Sequence, residues 1–495
     1  MNNSPLPLKR NWILAALMLT MFLAAMDIAI VSTVIPQIVG DLGGFKKFSW
    51  VFSIYLLTQT ASIPVYGKMA DMYGRKKILL IGIVIFLVGS AACGASWNIE
   101  SLIAFRGLQG LGAGSIMAIV NTIAGDIYTV KERSKIQGWL SSIWGISAII
   151  GPALGGAMVE YVNWRWIFLI NIPIGLVSVV LLMMFLKEKV SVIKTKIDYL
   201  GAFLIFTTLT LLITFLLNGG QAWAWLSFYS LGLFGLVAAL LCLCVYVERR
   251  AESPIMPLWL WTHRPFLGSI LALMGMGVII MGPETYLPTF TQASLGIGVT
   301  VSGLILASMS IGWPTASALS GKLYLRIGFR NTAIIGAVLV FLAAISFLLI
   351  PYPQPVYLLV INQVILGAGF GLISTPVLVG VQSMVDWNQR GVVTGATMFG
   401  RNLGQSLGAA IVGAIFNASF SQQVSEAPFD LPEQDGNILQ MLQTPSLSAE
   451  AKFFLKGAIN TANHHIYYGM AILAVLTFAA IWLIPKKIQT KEESN

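Results

Sequence analysis

Fourteen apolar stretches, each about 17–25 residues long, divide this chain, the first near 12–35 and the last near 466–484. A hydrocarbon layer about 30 Å thick accepts a helix of that length. Lipid offers no partner to a free backbone amide or carbonyl, so each stretch has to satisfy its own backbone as a helix. The alternative, a soluble core, fails on composition: 57% of the 495 residues are hydrophobic and only 10% are charged, against roughly 25% charged in an ordinary soluble domain. The expected fold class is therefore an all-α integral membrane protein with fourteen spans.

The formal net charge of +10 could suggest a nucleic-acid partner, but the placement of the charges argues for topology instead. With the N-terminus on the cytoplasmic side, 23 of the 30 Lys and Arg residues fall on that side, five fall outside, and Arg106 and Arg401 fall within spans. This is the positive-inside bias. It implies cytoplasmic termini in a cell membrane and no nucleic-acid partner. Lys9 and Arg10 ahead of an apolar run resemble a signal peptide, but the run is long and carries Asp27, so it reads as the first span. Cys93, Cys242 and Cys244 all fall in spans and form no disulfide or zinc pattern.

The chain repeats itself. Gly110, Gly112 and Gly114 recur as Gly367, Gly369 and Gly371, at a constant offset of 257. Gly67, Lys68 and Gly74 recur as Gly321, Lys322 and Gly328 at an offset of 254, and Arg133, Gly138, Gly151 and Gly156 as Arg390, Gly395, Gly408 and Gly413 at 257. Both copies run in the same direction through the membrane. The expected organisation is a six-helix bundle over 1–190, a linker with two extra helices over 191–263, and a second six-helix bundle over 264–495. Bundles related by a parallel repeat bind substrate where they meet, near the midplane. The polar segment 417–465 is expected to be an extracellular loop with a short helix near 448–457, since Pro428, Pro432 and Pro445 oppose one continuous helix. His464 and His465 close it, a pair that reads as solvated surface more readily than as a metal site.

Between the second and third spans, residues Gly67 to Lys77 place one carboxylate, Asp71, among four cations, including Arg75. Gly67 and Gly74 permit tight turns there, and Asp71 can face a helix N-terminus, where the helix dipole favours negative charge. Such a charged hinge can hold one conformational state closed; the plainer reading is a basic loop. The second copy has Leu325 in place of Asp71, so a latch would be one-sided. Asp126 lies near the cytoplasmic end of the fourth span, close in topology to Arg75 and Arg133, and reads as their ion-pair partner.

These segments, taken in order, resemble the major facilitator superfamily, and within it the fourteen-helix drug:proton antiporters. Gly67-Lys-x-x-Asp71-x-x-Gly74-Arg75-Lys-Lys is similar to that superfamily's loop between helices 2 and 3, and Arg106-Gly-x-Gln109-Gly110-x-Gly112 to its fourth-helix arginine motif. Gly145-x5-Gly151-Pro152-Ala-Leu-Gly155-Gly156 resembles the motif associated with antiporters. Ala25-Met-Asp27 through Pro36, and Trp164-Arg-Trp through Asn171, Pro173 and Gly175, are similar to segments of the fourteen-helix group. The resemblance covers essentially the whole chain. It implies two six-helix bundles plus two intervening helices, a functional monomer without a cofactor, and efflux of lipophilic, often cationic drugs against proton entry.

An ionisable side chain inside a membrane helix costs roughly 2.5–3.5 kcal/mol on insertion scales and is a functional candidate by default. Asp27 and Arg106 sit about 8 and 6 residues from the outer ends of their spans, roughly 12 and 9 Å deep, so they could face each other. Asp27 could bind and release a proton as its surroundings alternate between Arg106 and an apolar setting; a static ion pair is the alternative. Glu284, in a span where Pro283 and Pro288 could break the helix, could be a second proton site, a counter-ion for a cationic substrate or a pore-mouth carboxylate. Arg401, near mid-depth, has no partner in sequence and could contact substrate. Tyr55, Gln59, Trp313, Asn362 and Gln405 are candidate cavity residues, although single aromatics in membrane helices more often pack. Gly151, Gly155 and Gly156 would allow close helix approach, with a bend at Pro152.

Among competing functions, an ATP-driven pump lacks a Gly-x4-Gly-Lys-Ser/Thr loop, and no metal cluster or nucleophile motif supports an enzyme. Export of one defined metabolite, lipid or siderophore would leave a similar pattern.

Overall fold

The computed structural model describes residues 7–43, 47, 49–188, 198–218, 223–224, 226–427 and 448–486. Its regular elements are helices. The first half contains α1 (Pro7–Leu42), α2 (Ser49–Tyr73), α3 (Arg75–Gly94), α4 (Ile99–Ile127), α5 (Val130–Tyr161), α6 (Trp166–Leu169) and α7 (Asn171–Phe185). Two further helices, α8 (Tyr199–Asn218) and α9 (Phe228–Arg250), pair with each other. The second half contains α10 (Trp259–Thr262), α11 (Arg264–Ala293), α12 (Val299–Ala307), α13 (Met309–Ile327), α14 (Phe329–Leu349), α15 (Val356–Met384), α16 (Arg390–Ser425) and α17 (Ala449–Ile481).

Among the described residues, thirteen helical segments are long and apolar enough to cross a membrane. The fourteenth expected span is α2, a 25-residue helix whose apolarity is diluted by Thr58, Gln59, Thr60, Ser62, Lys68 and Asp71. It is helical because its polar side chains are taken up inside the protein: Gln59, Thr60, Ser62 and Asp71 are all buried.

The repeated glycines pack the same way in each half. A side chain at Gly110 or Gly114 would strike α2, at Tyr55 and Gln59, whereas one at Gly112 would strike α3 at Gly82 and Phe86. In the second half, Gly367 and Gly371 face α13 around Met309 and Trp313, and Gly369 faces α14 at Gly336 and Val340. One face of the central helix of each bundle therefore lies backbone-to-backbone against equivalent neighbours. The two bundles meet through α5 on α13, α2 on α16 and α4 on α16, and α8 rests on both α2 and α16.

Several local expectations change. The connection between α2 and α3 shrinks to Gly74, whose φ of 95° is the left-handed conformation that ends one helix and starts the next. Gly67 lies inside α2 instead of at a turn. Pro283 and Pro288 do not break α11, which runs unbroken to Ala293, and Pro152 lies within a continuous α5. α1 extends to Leu42, so Asp27 is fifteen residues from that end.

The described parts of 417–465 are largely helical. α16 continues to Ser425 and α17 starts at Ala449, because the two helices stay packed beyond the apolar region: Ser419 Oγ and His465 Nδ1 lie 2.6 Å apart, and Gln423 donates to the Ala458 carbonyl at 3.4 Å. His464, half-buried, lies beside the Phe347 ring. Pro428, Pro432 and Pro445 lie outside the described residues.

Candidate functional site

At membrane depth in the first bundle, the side chains of Asp27 and Arg106 are both fully enclosed and joined at 2.5 Å. Arg106 and Gln109 lie three residues apart and so share a face of α4. Arg106 Nη1 also donates to Gln109 Oε1 at 2.8 Å, and Gln109 Nε2 donates to Asp27 Oδ1 at 2.8 Å. Asn171 at the start of α7 adds a longer bond to Oδ1, 3.3 Å, and bonds Ser90 of α3 at 3.0 Å. The Arg106 guanidinium carbon lies 4.2 Å from the Tyr55 ring centroid. A buried carboxylate is tolerated when it is both paired and hydrogen-bonded; here α4 and α7 supply the partners, and Ser90 of α3 steadies Gln109 and Asn171. Gln109 and Asn171 stood in motifs of the sequence without a stated role; the three-residue spacing from Arg106 was the signal for Gln109.

A second constellation closes one end of the molecule, the face on which α1 begins and α4 meets α5, here called the basic face. Asp71, near the end of α2, accepts from the Gly391 amide at 2.9 Å and the Val392 amide at 2.8 Å, both in the first turn of α16. Asp71 therefore does face a helix N-terminus, and that helix belongs to the opposite bundle. Arg75 pairs with Asp71 at 2.7 Å and with Asp126 at 3.0 Å, donates to the Trp387 carbonyl, and stacks 3.3 Å from the Trp387 ring centroid. Asp126 pairs across the interface with Arg390 at 2.7 Å. Arg133 donates to the Tyr128 carbonyl at 2.9 Å and to Ser383 of α15 at 3.2 Å. Gln382 of α15 reaches the Asn121 carbonyl at 3.2 Å. Arg390 could have been found as the repeat counterpart of Arg133; Trp387 had no sequence signal.

Gly67 makes this closure possible. A Cβ there would lie 2.6 Å from the Gly391 carbonyl oxygen, so only glycine lets α2 and α16 cross at that point. Along α5, Gly145 meets Ser310 of α13, with a Cβ approach of 2.6 Å, and Gly151 meets Ala29 of α1 at 2.6 Å. Gly155 is buried. Gly156 has nothing within 4 Å, so no neighbour approaches closely there. Beyond Gly145 the outer half of α5 is open, with Ile149 60% exposed. The bundles are thus joined at the basic face and diverge toward the opposite one.

In the second bundle, Glu284 of α11 is exposed although it lies nine residues inside its helix, and Arg401 of α16 lies within electrostatic reach of it. The Arg401 guanidinium sits 4.9 Å from the Trp313 ring centroid. Gln405, one turn from Arg401, is half-buried. The other cavity candidates do not reach this space: Tyr55 and Gln59 are buried in the first bundle, and Asn362 is buried and donates to the Ala343 carbonyl at 2.6 Å. Of the three, Asn362 spends its amide on helix packing, whereas the Tyr55 hydroxyl and Gln59 Oε1 are buried without a hydrogen-bond partner. Among the described residues there is no cluster of three or more metal-ligating side chains.

Two helical bundles in parallel repeat, joined at one face and holding charged groups at membrane depth, define the architecture of a two-bundle membrane transporter. The Major Facilitator Superfamily model matches residues 17–409, and the chain belongs to that family. The chain is 35% identical over 400 residues to the Multidrug transporter protein MdtP of Bacillus subtilis (strain 168), an alignment covering 80% of this chain and 73% of that one. It is 34% identical over 398 residues to Multidrug resistance protein 3 of the same organism, covering 80% and 77%. Among solved structures, it superposes on the human organic anion transporter MFSD10 with a TM-score of 0.65 at 16% identity, over 96% of this chain and 100% of that one. The proton:xylose symporter XylE gives 0.64 at 13% identity, over 98% of each chain. These structural likenesses bear on the fold alone.

Proposed function

We propose that this protein is a proton-coupled antiporter that exports amphipathic, cationic compounds by alternating access. The observation that carries the reading is the sealed Asp27–Arg106 pair at membrane depth. Arg106 and Gln109 close off the two oxygens of the Asp27 carboxyl. If the bundles move and water reaches it, protonation releases Arg106, and the two protonation states then favour different arrangements of the first bundle. The basic face, on the cytoplasmic side in this reading, is the closed one, so the structure corresponds to a state open toward the outside, where substrate leaves and protons enter. The names of the two Bacillus relatives support drugs as substrates. The proton gradient drives the cycle, and one chain without a cofactor suffices.

The test is exchange in inside-out vesicles with a pH-gradient dye. Adding an amphipathic cation should dissipate the dye signal for the wild type and not for Asp27→Asn. An Asp27→Asn protein that still exchanges substrate for protons like the wild type overturns the coupling assignment.

A further inference from the structure

Arg401 differs from the other arginines at the heart of this molecule. Arg75, Arg106 and Arg390 each have a carboxylate partner within 3.0 Å. The Arg401 guanidinium has no hydrogen bond or ion pair among the described residues, its Nε is buried without a partner, and its contact is the Trp313 ring. An unpaired guanidinium at membrane depth is expensive unless it faces water or a ligand. Glu284, also without an ion pair or hydrogen bond among the described residues, is the acidic group within its electrostatic reach.

The helix register sets their spacing. α11 and α16 run parallel: Gly277 packs on the Arg401 carbonyl and the Gln405 amide, and Gly408 packs on Val278. Gly404 and Gly408 pack on Met274 and Val278, which sets Arg401 level with residues 271–272, so the backbone of Glu284 stands about 15–20 Å farther along the pathway toward the open face. Arg401, Trp313 and Glu284 come from α16, α13 and α11; of these, α13 and α16 also contact the first bundle. Arg401 and Trp313 thus stand on helices at the bundle interface, with Glu284 the exposed acidic group in electrostatic reach of Arg401. Together they offer one acidic and one basic group, separated along the path, with an aromatic plane beside the basic one.

We propose that these three residues select zwitterionic amphiphiles: a cationic end against Glu284, a carboxylate against Arg401, and an aromatic body over Trp313. A plain cation gains Glu284 and is repelled by Arg401, whereas a zwitterion satisfies both and leaves neither charge unpaired. This rests on the transport reading above and narrows its substrate class.

The test uses a matched xanthylium dye pair, the methyl ester, a permanent cation, and its free acid, a zwitterion. Binding of each to the purified protein is followed by fluorescence anisotropy. Arg401→Gln should weaken the free acid about tenfold and leave the ester within about threefold, Arg401→Lys should restore part of the loss, and Glu284→Gln should weaken both dyes about tenfold. Equal shifts for the two dyes in Arg401→Gln, no shift for either, or failure of the wild type to bind either dye overturns the proposal. Proton exchange by the wild type and Asp27→Asn is read separately in vesicles, so loss of dye discrimination alone leaves the antiport reading standing.

Discussion

Asp71 of the first bundle caps the helix that begins at Arg390 in the second, its Oδ1 accepting from the Gly391 amide at 2.9 Å. α16 has no side-chain cap of its own, since Gln389 makes none. The equivalent helix of the first half, α5, carries its own acidic residue: Glu132 in its first turn accepts from the Thr129 amide at 2.9 Å and pairs with Arg10 at 2.6 Å. This accounts for Leu325 at the repeat position of Asp71: α5 already has a carboxylate at its start, and α16 borrows one across the bundle interface. The first turn of α16 is therefore capped only while the basic face is closed.

Asp71→Asn should open that face. Loss of hydrogen bonds to a charged acceptor is worth about 1.5–3 kcal/mol. With Cys93, Cys242 and Cys244 replaced, maleimide labelling of a Ser383→Cys probe, at a position only 6% exposed in the closed state, should rise about tenfold or more. Leu325→Asp should leave the labelling unchanged. Equal labelling with and without Asp71→Asn would exclude the latch.

Glu188 makes the same kind of cap within one bundle, accepting from the Arg75 and Lys76 amides at 2.9 Å each. Its loss should act on stability and not on state. Glu188→Gln is expected to cost about 0.5–2 kcal/mol, read as a lower denaturation midpoint in detergent with no change in Ser383→Cys labelling. A large labelling increase would contradict this division of roles.

Gly67→Ala tests the crossing of α2 and α16. The added methyl would meet the Gly391 carbonyl at 2.6 Å, and overpacking of this kind costs about 1–3 kcal/mol. The closed state bears that cost, so substrate accumulation in inside-out vesicles should fall and Ser383→Cys labelling rise. Gly156→Ala, with nothing within 4 Å, should stay within about 0.5 kcal/mol of wild type in the same denaturation assay. A Gly67→Ala protein indistinguishable from wild type would show that the helices separate there at little cost.

Arg106→Ala would strand Asp27 in the bundle core, a loss expected at about 3–5 kcal/mol. Combining Asp27→Asn with Arg106→Ala removes both charges and should recover much of it. Denaturant titration of the four proteins in the cycle gives the coupling energy. Additive losses would mean that the two side chains do not act as a pair.

The glycine repeat carried much of the fold because small residues at fixed offsets state which helix faces come together, and Gly110 and Gly367 do pack on equivalent neighbours. Asp27 and Arg106 were readable as partners because buried charge in lipid is costly enough to demand one. Other features were opaque. Tyr55 has the composition of a cavity residue, yet it is fully buried beside Arg106. Pro283 and Pro288 look like breaks, yet α11 runs through both. The polarity of 417–465 reads as a loop, although α16 and α17 occupy much of it by packing on each other.

Hydropathy, the positive-inside bias and the repeat, all properties of the chain itself, determined that this protein is a fourteen-helix, two-bundle membrane protein with its cations gathered at one face. They follow from local rules, the length of helix that lipid accepts and the cost of a free backbone group. Tertiary structure alone decided that Asp71 caps α16, that Trp387 covers Arg75, that Gly67 sits at a helix crossing, and that Arg401 lies beside Trp313. Each of these depends on how helices distant in sequence are rotated and spaced against one another, which is set by packing across the whole bundle and is written in no single segment.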